Sequence, residues 1–397
     1  MEVLDEVKNW AARCSRCGTC KYTFGQYLPS CPPGQRFRLE GYYPSGRLWI
    51  GKGLQDGVLS TEDEDVLERI YTCTACRACE VSCVNLCKDH IVEVVEAIRQ
   101  MAVSQGCLVP AHVFMIDSLK KNDNVLDKPK EERGAWAEGL DLKDITKEKT
   151  DVVYRAGCMI SFDPEIWGAA RDAIALLQQA GVDVGIAGKE EACCGGKAYE
   201  MGYQGELGKY AAHNIEAWAN AGVKTVVTPC SDGYYAFKRL YPELGSSFEV
   251  LHMVEFIDRL IKENKLKFTR RVPMTVTYHD PCHLGRRDHV YVPGEPIMGI
   301  YDAPRDIIKS IPGVELVEME RIKENAWCCG AGGGVKEAYP DFNDWTAQER
   351  IEEARSTGAE ALVTACGWCE RNFIDAINDM GEKMRVYDIV ELVQQAI

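Results

Sequence analysis

No apolar run in the 397 residues approaches the roughly 18 uninterrupted positions that a membrane-spanning helix needs. The amino terminus, MEVLDEVKNWAARCSRCGTC, has no basic region ahead of an apolar core, so no secretory signal is expected. Positive charge is also in short supply. Against 61 Asp and Glu stand 46 Lys and Arg, a net charge of −15. Such a chain repels nucleic-acid phosphates and anionic membrane surfaces alike. These absences lead to the expectation of a cytoplasmic protein that reaches a membrane only through a partner.

Cysteine, by contrast, is abundant. The chain has 19, an odd number that includes two adjacent pairs and several C-x-x-C spacings. Adjacent cysteines are poor disulfide partners for each other, and a reducing compartment would hold most thiols open. The pattern therefore suits thiolate ligands better than a disulfide framework.

Ten of the cysteines lie before residue 110. CSRCGTC supplies Cys14, Cys17 and Cys20, with Cys31 following; CTACRACEVSC supplies Cys73, Cys76, Cys79 and Cys83. Two C-x-x-C-x-x-C runs, each with a later fourth cysteine, form the bacterial ferredoxin pattern for two cubane 4Fe-4S clusters. In that pattern the fourth cysteine crosses to the other cluster. One set is then Cys14, Cys17, Cys20 and Cys83, and the other is Cys73, Cys76, Cys79 and Cys31. Cys87 competes with Cys83, which lacks a following proline, and Cys107 reads as a small buried hydrophobe. Tetrahedral zinc is the alternative metal, although zinc ribbons pair C-x-x-C knuckles and seldom use triple runs. The wide separation of the runs, and the helical HIVEVVEAIRQM after the second, resemble the α-helical ferredoxin modules of respiratory iron–sulfur subunits.

A charged stretch with little apolar periodicity, residues 126–150, reads as an exposed linker. Beyond it the chain repeats itself. The first copy runs DVVYRAGCM, a helical stretch, EEACCGGKAYEMG and KTVVTPCSDGYYAFKRL. The second runs MTVTYHDPCHLGR, ENAWCCGAGGGVKEA and AEALVTACGWCERNFIDAI. Strands alternating with amphipathic helices predict parallel α/β sheets, with cysteines at the carboxyl ends of strands where such sheets build sites. A helix dipole at those positions favours thiolate. The expected architecture is α/β: a helical ferredoxin-like domain at 1–125, the linker, and two repeated domains at 151–270 and 271–397.

The second copy offers Cys282, then 45 residues, Cys328–Cys329, then 36 residues, Cys366 and Cys369. Five thiolates exceed what tetrahedral zinc or one cubane requires. This pattern resembles the cysteine-rich CCG domain, found twice in catalytic subunits of heterodisulfide reductases and also in iron–sulfur subunits of glycolate and lactate oxidases. The order of modules resembles the membrane-associated heterodisulfide reductase catalytic subunit. That resemblance implies a noncubane 4Fe-4S cluster, and a catalytic role, at Cys282, Cys328, Cys329, Cys366 and Cys369. It further implies partners: flavoprotein, iron–sulfur or membrane cytochrome subunits, and a small thiol or disulfide. The first copy keeps Cys158, Cys193, Cys194 and Cys230 but has Gly233 in the fifth place. Four ligands leave a further 4Fe-4S cluster or zinc open there.

Around Cys282 stand His279, His283, His289, Arg286 and Arg287. A His could donate a proton to a departing thiolate and an Arg could hold an anion; the plainer reading is a turn at Asp280–Pro281 with solvated charges. The glycines of GAGGG serve here to let the backbone approach a bulky cluster. They do not join strand to helix in the G-x-G-x-x-G form, which argues against flavin or NAD binding by this chain. Two functions follow: an iron–sulfur oxidoreductase for thiol–disulfide chemistry, or a non-catalytic electron conduit serving a flavoprotein, acyl-CoA-reducing or 2-hydroxy acid oxidising partner.

Overall fold

The computed structural model describes residues 2–23, 25–287 and 298–397; His289 lies outside them. Up to residue 122 the chain is helical. Leu4, Val7 and Ala11 form the buried stripe of the helix Glu2–Ala11, packed against Pro44–Gln55 and Ile91–Ser104. In the last of these, Ile91, Val94, Val95 and Ile98 are fully buried at helical spacing. A single antiparallel bridge, Tyr22 with Pro29, is the only strand-like pairing in this module among the described residues.

Two wholly parallel sheets follow. The first has the strands β1 (Lys143–Asp144), β2 (Val152–Tyr154), β3 (Val184–Ile186), β4 (Thr225–Thr228) and β5 (Glu249–His252) in the order β1-β3-β2-β4-β5. The second has β6 (Met274–Tyr278), β7 (Val314–Leu316), β8 (Ala361–Thr364) and β9 (Arg385–Asp388) in the order β7-β6-β8-β9. Apart from β1, the two orders are identical, as the sequence repeat demands. Val153 pairs with Val226 in one sheet, and Val276 with Ala361 in the other. All four are inaccessible to solvent. Strands covered on both faces bury every side chain, at roughly 1.5–3 kcal/mol for each large aliphatic group.

Residues 126–150 depart from the expected linker. Their charge density hides a 3₁₀ helix, Lys130–Ala137, and the edge strand β1, with Arg133, Trp136 and Ile145 buried. The segment is part of the first sheet's domain. No helix among the described residues is long and apolar enough to cross a membrane.

Candidate iron–sulfur centres

The cysteines gather in four places. In the first, the Cys87 thiol hydrogen-bonds to both Cys14 and Cys83, which draws Cys14 down to about 6 and Cys83 to about 7. Cys20 stands beside them, pushed up to about 12 by burial. Both rivals for the fourth position are thus at the site. Cys17 turns outward: it is exposed, its Sγ accepting from Asn85 Nδ2 at 3.3 Å and sharing a hydrogen bond with the Thr19 hydroxyl at 3.3 Å.

The second place is a cavity lined by Cys31, Cys73, Cys76 and Cys79, together with Pro32, Pro33 and Ile91. Cys31 caps the short helix Pro32–Phe37 and reaches the triple run from more than forty residues upstream. No carboxylate lines this cavity among the described residues. Four thiols between apolar walls and the side chains of Arg47 and Arg77 make a soft donor set suited to iron–sulfur binding and unsuited to hard cations. Cys107, half-buried, stays apart and accepts from the Thr61 hydroxyl at 3.5 Å.

The third place joins Cys282, Cys328, Cys329, Cys366 and Cys369. Cys282 follows β6, and Cys366 follows β8 as the N-cap of the helix Gly367–Met380. Cys369 Sγ lies 3.3 Å from Cys329 Sγ. Cys282 bonds to Cys328, and Cys366 to Cys369. A ring nitrogen of His279 lies within 4.8 Å of Cys329 and Cys369 Sγ, so the ring joins the donor set. Arg350 Nε donates to His279 Nδ1 at 3.2 Å, and burial keeps this ring neutral.

The fourth place is a cavity lined by Cys158, Cys193, Cys194 and Cys230, with Gly233 opposite them. Three buried cations share its walls: Arg133, Arg155 and Lys197. Glu191 pairs with Arg133 at 2.9 Å and Asp232 with Lys197 at 3.4 Å. Arg133 Nη2 donates to Cys158 Sγ at 3.3 Å. The hydrogen bond to Cys193 and burial raise Cys158, outweighing Arg133, which draws it down, and Cys193 and Cys230 are raised as well. A Cβ at Gly233 would meet only ordinary contacts, 3.5 Å to Phe237 and 3.7 Å to Cys230 Cβ, so the fifth position is vacant by composition and not by lack of room.

The places adjoin one another. Cys76 of the second bonds to Cys328 of the third, and Cys230 of the fourth bonds to Cys366 of the third. Counted through neighbouring thiols, an unbroken line runs Cys76, Cys328, Cys329, Cys369, Cys366, Cys230. Sequence reasoning missed this line, because nothing in one domain's spacing encodes contact with another.

Two expectations are overturned. His279, His283, Arg286 and Arg287 are all buried, so their charges are not solvated. Nor do the arginines face a substrate. Arg286 Nε donates to Cys76 O at 2.6 Å and its Nη1 to Ala326 O at 2.7 Å, while Arg287 bonds Ala75 O and Glu96. They clamp the second cysteine run onto the second sheet's domain. His283 lies between Cys282 (3.2 Å) and Glu200 (2.5 Å); burial opposes its charge, but Glu200 and Asp232 outweigh that and raise it.

The glycine run also serves a different contact from the one expected. A Cβ on Gly332 would lie 2.3 Å from Thr74 O, and Gly333, at φ +61°, would meet Cys73 O at 2.8 Å. These glycines admit the ferredoxin loop, a protein surface, to the CCG corner. Arg99 seals the join, donating to Cys73 O, Glu200 O and Gly333 O, one carbonyl from each module.

A two-site ferredoxin module docked on paired parallel α/β domains, each with a Cys–Cys–Gly corner at its strand ends, defines an iron–sulfur protein of the CCG class. Residues 10–86 match the 4Fe-4S dicluster domain family, and residues 152–238 and 276–374 match the cysteine-rich CCG domain. The chain is 33% identical to a subunit of the dihydromethanophenazine:CoB--CoM heterodisulfide reductase of Methanosarcina mazei, over 97% of this chain and 93% of that protein. It therefore belongs to the family of these heterodisulfide reductase subunits. It is also 31% identical to the EtfAB:quinone oxidoreductase of Syntrophomonas wolfei, over 83% of this chain but only 47% of that longer protein. In overall shape it resembles a hypothetical protein of Helicobacter pylori, with a TM-score of 0.59 over 89% of this chain and 67% of that one at 9% identity, a likeness of fold alone. The protein is an iron–sulfur electron-transfer subunit of the heterodisulfide reductase type.

Proposed function

We propose that this subunit conducts electrons between its N-terminal cysteine sets and the five-cysteine C-terminal set, where a thiol–disulfide couple exchanges them. Cys14, Cys17, Cys20 and Cys83 would hold one cubane 4Fe-4S cluster, and Cys31, Cys73, Cys76 and Cys79 a second. Cys282, Cys328, Cys329, Cys366 and Cys369 would hold a noncubane 4Fe-4S cluster, and Cys158, Cys193, Cys194 and Cys230 a further cluster or zinc. Bound there, such clusters supply one-electron transfer at potentials set by burial and by hydrogen bonds to sulfur.

The unbroken line of thiols from Cys76 to Cys230 carries this reading. The chain's own groups hold the geometry. Arg286 and Arg99 fix the Cys73–Cys76 loop by its carbonyls. His283, whose charged form Glu200 and Asp232 favour, would hold a proton beside Cys282 Sγ. Such a proton suits a thiolate leaving a disulfide.

The vacancy at Gly233 favours a second reading, a conduit whose chemistry lies on a partner. One anaerobic preparation separates the two: iron and zinc are counted per chain, then EPR spectra are recorded during titration with a disulfide. A paramagnetic species that forms with thiol and vanishes in Cys328→Ser supports chemistry at the C-terminal set. About eight irons per chain, as two cubanes would give, with no such species, leaves the conduit.

A further inference from the structure

The line of thiols has one end in the interior, at Cys230 among Arg133, Arg155 and Lys197. At its other end the ferredoxin module meets solvent, and Cys17 is the one exposed cysteine of the 19. Its surroundings combine two features. They are apolar: Val84 and Leu86 are 63% and 72% exposed on either side of Asn85, the residue that bonds Cys17 and Ser15, and Trp49 is exposed nearby. They are also basic. Residues 9–23 contain Arg13, Arg16 and Lys21 and no acid, in a chain with fifteen more acids than bases.

Arg16 sits at φ +58°, a conformation that side chains rarely adopt. In it the guanidinium carbon lies over the Trp49 ring, 3.7 Å from the centroid. Arg13 lies over Trp10, which in turn stacks on His90. Neither arginine has an ion pair among the described residues, whereas Lys21 is committed to Glu40. The face thus offers two cations without an ion pair among the described residues, Arg16 within the field of Glu40, beside an apolar centre and next to Cys14 and Cys17 in sequence.

We propose that this face, formed by Arg13, Arg16, Trp49, Val84 and Leu86, docks a small acidic one-electron carrier protein that delivers electrons to the Cys14–Cys17–Cys20–Cys83 group. This rests on the reading that those cysteines hold a cluster. Charge complementarity selects the occupant. The net charge of −15 repels an acidic protein overall. This patch, like the exposed basic stretch 265–271, locally opposes that repulsion, and of the two it alone carries a cysteine group. Such local fields accelerate and orient encounters. A flat anionic bilayer would instead face the repulsion of the whole acidic molecule. Val84 and Leu86 supply the dry centre that brings two redox proteins close.

The test uses a dithionite-reduced, acidic two-cluster ferredoxin as donor, mixed anaerobically in a stopped-flow instrument with the oxidised full-length protein. Its reduction is followed by loss of visible absorbance. The second-order rate is expected to fall steeply as salt is raised from about 0.02 to 0.3 M, as screening of exposed charges requires. Arg13→Glu with Arg16→Glu lowers the low-salt rate at least tenfold and flattens the salt dependence. Leu86→Asp lowers it without flattening. Reduction by dithionite alone and the iron count stay at wild-type values, and Lys147→Glu, on the first sheet's domain, leaves the ferredoxin rate unchanged. An unaltered rate in the double variant overturns the proposal, as does a wild-type protein that ignores the ferredoxin or that binds phosphatidylserine vesicles through these arginines. A preparation without iron fails at the cluster assignment instead, and the iron count separates that failure from the failure of docking.

Discussion

Cys76 of the ferredoxin module and Cys328 of the second CCG domain share a hydrogen bond, thiol to thiol, in a pocket closed by Ala78 and Cys282. Clusters held on these two residues would be magnetic neighbours. The reduced wild-type protein should show broadened or split EPR signals from spin–spin interaction. Cys328→Ser should leave the N-terminal signals sharp and undiminished in number. Sharp signals in the wild type would place the two centres far apart and break the proposed line.

The clamp on that junction can be weighed separately. Arg286 donates to the carbonyls of Cys76, Glu324 and Ala326 from a buried position. Arg286→Met leaves these acceptors without donors, at about 1–3 kcal/mol for each buried group. We expect a loss of about 3 kcal/mol or more in denaturant titration. Arg286→Lys should recover little, since one ammonium cannot span the fork of a guanidinium.

Gly332→Ala should destabilise by about 1–3 kcal/mol, the usual cost of overpacking, because its methyl would overlap Thr74 O. Gly205, exposed in the helix Gln204–Asn220 with open space around it, supplies the contrast. Gly205→Ala should stabilise by about 0.5–1 kcal/mol through helix propensity. Thermal melts of the two variants should therefore shift in opposite directions.

Gly233→Cys tests the first CCG site. Its Cβ meets only ordinary van der Waals contacts, so stability read from thermal melts should hold within about 1 kcal/mol. Metal retained at that site should then leave more slowly under chelator challenge. Unchanged loss would mean that the Gly233 edge faces no metal.

Two buried histidines each contribute a loss of stability on acidification. His112 and His252 are buried and held neutral, each down to about 4, chiefly by burial. His112 Nε2 donates to Gly334 O at 2.9 Å. An unfolded His titrates near 6.5. Between about 6.5 and 4 the unfolded chain takes up protons that the folded chain refuses, so stability is complete above that window and declines as pH falls through it. His112→Gln should shallow the decline measured by denaturant titration between pH 7 and 5.

Much of this architecture is legible in the sequence where the signal is local. VVTPC and LVTAC each end a strand at a cysteine that caps the following helix, and both do so in the fold. The gathering of Cys31 with the second triple run also follows from the ferredoxin spacing. What escapes is contact between modules. Arg99, Arg286 and Arg287 look like surface charge because burial by a distant carbonyl leaves no periodicity. The glycines of GAGGG suggest a cluster as their neighbour because nothing nearby in sequence names Thr74. Residues 126–150 read as a linker because salt bridges and an edge strand carry the composition of a loop.

The seal around Arg99 bears on how the protein is made. Cys76 and Cys328 are buried where three modules meet, and Arg99 ties a carbonyl of each module to the next. Once this join closes, no scaffold protein delivering iron and sulfide could reach either thiol. Were Cys76 and Cys328 to hold clusters as proposed, cofactor loading would have to precede the final docking of the ferredoxin module, and a chain that closed too early would be a dead end for repair.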